Sequence, residues 1–112
     1  MSRTTITVAR VYLTERKAHL DRLVEHLRVQ EKVHGLTVFR AVAGFGPSGH
    51  VHSAHLIDLT ADLPLVVEFF DTPERMTVIL AQLRGWLPPG PIISWRAELD
   101  LPTPEQDPTP DA

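Results

Sequence analysis

Two helix-forming stretches, each enclosed between strand-forming ones, divide this 112-residue chain into a pair of β-α-β halves. The first strand is expected over residues 5–14, carried by Ile6, Val8, Val11, Tyr12 and Leu13. A helix is expected over 16–34, because Leu20, Leu23, Val24 and Leu27 recur at helical spacing while Arg22, Glu25, Arg28 and Glu31 fall off that stripe. Gly35 stands where a left-handed residue would stop it. A second strand over 36–43 runs into a glycine-rich segment, and a third is expected over 65–70. Between them, His55 to Leu59 suits either a short strand or one helical turn. Asp71-Thr72-Pro73-Glu74 then signals a helix start: Thr72 can cap, Pro73 fits the first helical position, and Glu74 suits the positive end of the helix dipole. Met76, Ile79, Leu80 and Leu83 supply that helix's apolar face, residues 85–91 end it, and 92–99 alternates as a fourth strand. The order β-α-β-β-α-β specifies an α+β, ferredoxin-like sandwich, a four-stranded antiparallel sheet with two helices on one face.

This length suits one domain, expected over 1–100. Residues 101–112 hold four prolines and three acids (Glu105, Asp107 and Asp111) and read as an extended tail. The net charge of -3 resides in that tail, while the first forty residues carry eight Lys/Arg against four Asp/Glu. Such a bias favours an anionic ligand, although surface cations are ordinarily just solvated. Aromatic residues do not interleave with the basic ones, so a nucleic-acid platform is not expected. With no cysteine, the chain has no disulfide, thiolate metal site or thiol nucleophile. No signal peptide, membrane span or direct membrane insertion is expected, which points to the cytoplasm.

The inner strands constrain assembly. In this architecture the first and third strands occupy the sheet centre, and the helices cover one face only. Ile6, Val8 and Tyr12 alternate with Ala9, Val11 and Leu13; Leu65, Val67 and Phe69 alternate with Val66 and Phe70. A strand wetted on one face should alternate apolar with polar. The apolar excess therefore predicts a homo-oligomer in which open sheet faces pack together.

The segment Gly44-Phe45-Gly46-Pro47-Ser48-Gly49-His50-Val51-His52-Ser53-Ala54-His55 is the leading candidate site. Gly44, Gly46 and Gly49 can turn backbone N–H groups toward an anion, although their spacing matches neither a Rossmann fingerprint nor a P-loop, and a tight turn would need the same residues. Phe45 can stack on a base or anchor the loop. His50, His52 and His55 can ligate a divalent metal, the more so where copies meet, yet no carboxylate lies within the cluster. Arg10 and Arg40 interrupt apolar strands and Arg96 lies on the last one. They suit phosphate or carboxylate at a subunit cleft, or, more ordinarily, ion pairs with Glu68 or Glu98. Glu15, Arg16 and Lys17 mark a helix start that also suits an anion. No nucleophile elbow or acid/base constellation is discernible, and no enzymatic activity is expected.

Several motifs occur together in order: Val11-Tyr12-Leu13-Thr14-Glu15 before a basic helix, Val42-Ala43-Gly44-Phe45-Gly46 with Gly49, His50-Val51-His52, Asp62-Leu63-Pro64-Leu65-Val66-Val67-Glu68 and Asp71-Thr72-Pro73-Glu74. Over about residues 6–100 the chain resembles domain-of-unknown-function family 190. The resemblance implies a fold related to the nitrogen-regulatory PII signalling proteins, which are typically trimers with small effectors in clefts between subunits. It also implies that residues 44–55 match the loop that contacts targets and helps enclose a nucleotide. A second, phosphate-cradling loop would fall at Leu87-Pro88-Pro89-Gly90-Pro91, where Gly90 is the candidate contact. That loop departs from the PII pattern: it lacks the usual acid and lysine, and its prolines have no N–H to donate. The family's association with fluoride-exporter-type proteins implies a membrane transporter as regulated partner. The expected function is a trimeric PII-like sensor or adaptor for an anionic effector such as an adenine nucleotide, using Gly44, Phe45, Gly46, Gly49, Arg40, Gly90 and Arg96. The alternatives are a divalent-metal-binding trimer built on His50, His52 and His55, and a ligand-free interaction module.

Overall fold

The computed structural model describes residues 2–13, 17–45, 51–53, 65–87 and 90–102. Strand β1 (Ser2–Leu13) leads to helix α1 (Lys17–Glu25), which widens into a π-helical turn (His26–Gln30). Strand β2 (Gly35–Arg40), the short strands β3 (Ala43–Phe45) and β4 (Val51–Ser53), strand β5 (Leu65–Asp71), helix α2 (Pro73–Arg84) and strand β6 (Ile92–Leu101) follow. The main sheet has the order β2-β5-β1-β6 with every neighbouring pair antiparallel, so β1 and β5 hold the centre as expected. The expected α+β frame is therefore present. The possible element at 55–59 and the tail beyond Pro102 lie outside the described residues.

The core forms where the two helices meet one face of the sheet. Leu23 of α1, Leu27 of the π-helical turn that follows it, and Met76, Ile79 and Leu83 of α2 are buried against Ala9, Val11 and Leu13 of β1 and Val67 and Phe69 of β5. Helix α2 starts as its sequence dictates: Thr72 is extended, its Oγ1 accepts the Arg75 N–H at 3.3 Å, and Pro73 occupies the first turn. Just before it lies Asp71, buried in the core's rim. Its carboxylate accepts the backbone N–H groups of Thr72 (2.7 Å) and His34 (3.1 Å) and the Arg75 guanidinium (3.1 Å), so the burial of its polar atoms is compensated.

Two local readings are corrected. Helix α1 does not run to residue 34. It widens at His26, whose carbonyl accepts the Glu31 N–H at 3.0 Å, and Lys32 takes the left-handed conformation (φ 52°) that turns the chain toward β2. Gly35 is accordingly no helix stop; it opens β2. The Phe70 ring lies against its backbone, so a Cβ here would require that ring to shift. Phe70 in turn stacks on His34, with ring centroids 5.3 Å apart.

The second correction concerns the glycine segment. The expected strand over 36–43 stops at Arg40, and a separate ribbon begins at Ala43. There β3 and β4 pair antiparallel, Gly44 opposite His52 and Phe45 opposite Val51. The base of the glycine segment is thus a two-stranded hairpin rather than the ragged end of a strand.

Candidate functional site

One end of the sheet gathers most of the candidates. β1 and β2 end there, β5 and β6 begin there, and the β3–β4 hairpin departs from it three residues beyond Arg40. The pairing register sets the geometry. β6 starts opposite Val11, at Ile92, whereas β5 continues opposite Tyr12 and Leu13. The last two residues of β1 therefore have a strand on one side only.

A cleft of about 230 Å³ occupies that vacated side. Val11, Tyr12 and Leu13 form its floor, Ile92 and Pro91 one wall, and Arg84, Leu87 and Gly90 the other. The wall is held by the end of α2. Gly85 donates to the Gln82 carbonyl at 3.0 Å, Trp86 and Leu87 donate to the Leu83 carbonyl at 3.2 and 2.9 Å, and the Tyr12 N–H reaches the Pro91 carbonyl at 3.4 Å. Trp86 pins this turn to α1. The Arg22 guanidinium lies 4.4 Å over its ring, and His26 meets it edge-on at 5.7 Å between centroids. The result is a slot of mixed lining, apolar side chains beside backbone polar groups, with Arg84 as its one cation among the described residues. Such a slot suits a ligand with a flat or apolar body and an anionic group.

The anticipated contacts divide around this cleft. Gly90 lines it. Arg40 stands at the same end of the sheet, opposite Leu65, which is itself opposite Leu13. Arg96 does not join them: it lies on the other edge strand opposite Thr7, four residues below Val11, roughly 13 Å along the strand. Gly44 and Phe45 belong to the hairpin, so their backbone takes part in a ladder instead of forming a bare anion nest. Gly46, Gly49, His50 and His55 lie outside the described residues, as do Glu15 and Arg16. His52 is placed by its backbone opposite Gly44. Among the described residues no group of three potential ligands is gathered for a metal ion.

Arg84 and Tyr12 were not anticipated as site residues from the sequence, whereas Leu87 opens the segment expected to cradle phosphate. A cation in the last turn of a helix has an ordinary explanation in the helix dipole, so Arg84 carried no separate signal. Its position beside the cleft follows from where α2 ends against β1, which is a tertiary fact.

The open face of the sheet carries a second arrangement. Arg10, at its centre, pairs with Glu68 through Nε at 2.8 Å, the more ordinary of the two roles considered for it. Its guanidinium lies 5.9 Å from the Phe39 ring on one side and 5.6 Å from the Trp95 ring on the other. The hydrogen bond to Glu68 raises its pKa further, so it is a permanent cation. Apolar exposure on this face is distributed differently from the expectation. Val11 and Val67 point to the helices and are buried, and Val8 is sheltered as well. Among the described residues, Phe39, Ile93, Trp95 and Leu101, on the edge strands, are the large apolar side chains this face leaves exposed.

Among the described residues no helix is long and apolar enough to cross a membrane. In overall structure the chain is similar to CPII, a nitrogen regulatory PII-like protein from Thiomonas intermedia K12 solved with ADP, AMP and bicarbonate. The TM-score is 0.66 at 13% identity, covering 89% of this chain and 100% of that one. It is also similar to a PII-like signalling protein from Thermus thermophilus, with a TM-score of 0.60 at 18% identity over 88% of this chain and 91% of the other. These likenesses establish a PII-like fold. By sequence it is 37% identical over 59 residues to a UPF0166 protein of Aquifex aeolicus (strain VF5), a match spanning 52% of this chain and 56% of that protein. The chain thus matches about half the length of that curated relative. The profile of the DUF190 family (Uncharacterized ACR) matches residues 3–99, and the chain belongs to that family.

Proposed function

We propose that this protein is a PII-like sensor that assembles through its open sheet faces, as a trimer. It would take an adenine nucleotide, or a similar anionic effector with a flat body, at the sheet-end cleft. The observation that carries the reading is the cleft itself: apolar side chains from β1 and the α2–β6 turn beside the Arg84 guanidinium, in a chain whose fold is PII-like. The CPII structures hold ADP with AMP or bicarbonate, which supports this choice of ligand class. Pro91 has no N–H to offer phosphate, so Arg84, with Arg40 at the same end, takes over the anion contact that a lysine-bearing loop would make. The hairpin leaves from this end, and in this reading it would report occupancy to a regulated protein, a membrane transporter met from the cytoplasm. Enzymatic chemistry forms no part of the proposal.

Isothermal titration with ADP and AMP, each with and without bicarbonate, tests it. Saturable binding is expected, with Arg84→Ala weakening it at least tenfold while leaving the urea unfolding midpoint unchanged. Absence of heat with both nucleotides in the assembled protein would overturn the ligand assignment.

A further inference from the structure

The ladder between β1 and β6 ends on a hydrogen bond that runs in one direction only. The register sets Val11 opposite Ile92, and one step further the Tyr12 N–H donates to the Pro91 carbonyl at 3.4 Å. In an antiparallel ladder a residue turns its N–H and its C=O to the same neighbour, and such an opposed pair exchanges two bonds. The Tyr12 carbonyl therefore also faces the β6 side. Pro91 has no N–H to return to it, and the ladder stops there.

The rest of the α2–β6 turn does not make up the loss. Pro88 and Pro89 lack an N–H as well, the Leu87 N–H is held by the Leu83 carbonyl at 2.9 Å, and no backbone hydrogen bond runs from Gly90 to Tyr12. The side onto which this carbonyl opens is the cleft, floored by Val11, Tyr12 and Leu13 and walled by Gly90 and Pro91. Val11 and Leu13 turn their own polar groups the other way, toward β5, where Val67 and Leu65 stand opposite them. The Tyr12 carbonyl is thus the acceptor that the floor presents to the cleft. An acceptor without a donor beside the buried side chains of Val11 and Leu13 is costly, and a ligand donor set against it recovers that cost.

We infer that the Tyr12 carbonyl reads the ring of the ligand: it accepts a hydrogen bond from an amino group, so that the cleft takes a 6-aminopurine nucleotide and rejects its 6-oxo counterpart. The inference rests on the cleft reading proposed above and adds to it the group that chooses among nucleotides. A 6-oxopurine brings a carbonyl to the place of the amino group and sets acceptor against acceptor. Both are then left unpaired, which separates the two rings far more than apolar packing can. Arg84 meets the anionic group of either nucleotide, so it adds affinity without telling the rings apart.

Tyr12 is the only tyrosine of the chain, so tyrosine labelled with carbon-13 at its carbonyl gives one isotope-shifted infrared band that reports this acceptor. ADP and inosine diphosphate are titrated into the labelled full chain and into Pro91→Ala, which returns an N–H to the ladder. In the parent, ADP should bind about tenfold or more tightly than inosine diphosphate and should lower the frequency of the Tyr12 band, which inosine diphosphate should leave in place. In Pro91→Ala the band should already be lowered without ligand, and the preference for ADP should disappear. Equal affinity of the two nucleotides for the parent, or ADP binding that does not move the band, overturns the role of the carbonyl and leaves the cleft reading standing. So does a folded Pro91→Ala chain that keeps the parental band or the parental preference. Binding of neither nucleotide overturns the cleft reading and this inference with it. The measurements on the parent decide the matter even where the variant does not fold.

Discussion

If the open sheet faces pack together as proposed, replacing Phe39 and Trp95 together by serine should dissociate the assembly while leaving each subunit folded. Phe39 is 46% exposed and Trp95 40% exposed in the single chain. A large aromatic side chain presents roughly 200 Å², so each ring leaves on the order of 90 Å² in water. Hiding that area in a subunit contact stabilises it by about 2 kcal/mol per ring at about 25 cal/mol per Å². The pair should therefore weaken a contact by about 4 kcal/mol, roughly a thousandfold in association constant. Either single variant should cost roughly thirtyfold. The folded subunit should tolerate both changes, because its core lies on the other face, between the sheet and the helices. Sedimentation equilibrium over a wide concentration range measures the effect, with far-ultraviolet circular dichroism as the folding control. Val78→Ser is the matched surface control: Val78 is 56% exposed on α2, and its loss should not change association. A shift below tenfold in the folded double variant would refute the assignment of the open face as the interface.

Other perturbations test the fold that positions the site. Asp71→Ala removes the acceptor for two backbone N–H groups and a guanidinium at the start of α2, and should lower stability by about 3 kcal/mol in urea unfolding; a loss below about 0.5 kcal/mol would mean the carboxylate is not organising that junction. Asp71→Asn should lose about half as much, since one oxygen acceptor survives. Gly35→Ala drives a methyl group into the Phe70 ring and should cost about 1–3 kcal/mol, with Phe70→Leu in the same chain recovering part of it. Thr72→Ala, which removes the α2 cap, should cost about 1 kcal/mol by the same assay.

How far the sequence could be read depended on the range of the interaction involved. The cap at Thr72, the stripe Leu23–Leu27 and the apolar face Met76–Ile79–Leu83 all depend on neighbours within a turn or two, and each appears as expected. The error at Gly35 has the opposite origin. A glycine after a helical stripe reads as a stop, but this one answers to Phe70 on another strand, while Lys32 makes the turn at φ 52°. The glycine segment was legible as an interruption and illegible as a hairpin, because pairing Gly44 with His52 requires two segments to meet in register.

By itself, then, the sequence determined the kinds and order of the elements, the one-sided helical layer and the absence of thiol chemistry, all consequences of residue type and local periodicity. The tertiary structure alone decided that β6 begins two residues short of the end of β1. That offset opens a cleft beside Arg84 at one end of the sheet. At the other end β5 stops at Asp71 while β1 and β6 run on as a ribbon with no third strand beside it among the described residues. Strand register is set by which faces can be buried against distant parts of the chain, and no local pattern specifies that choice.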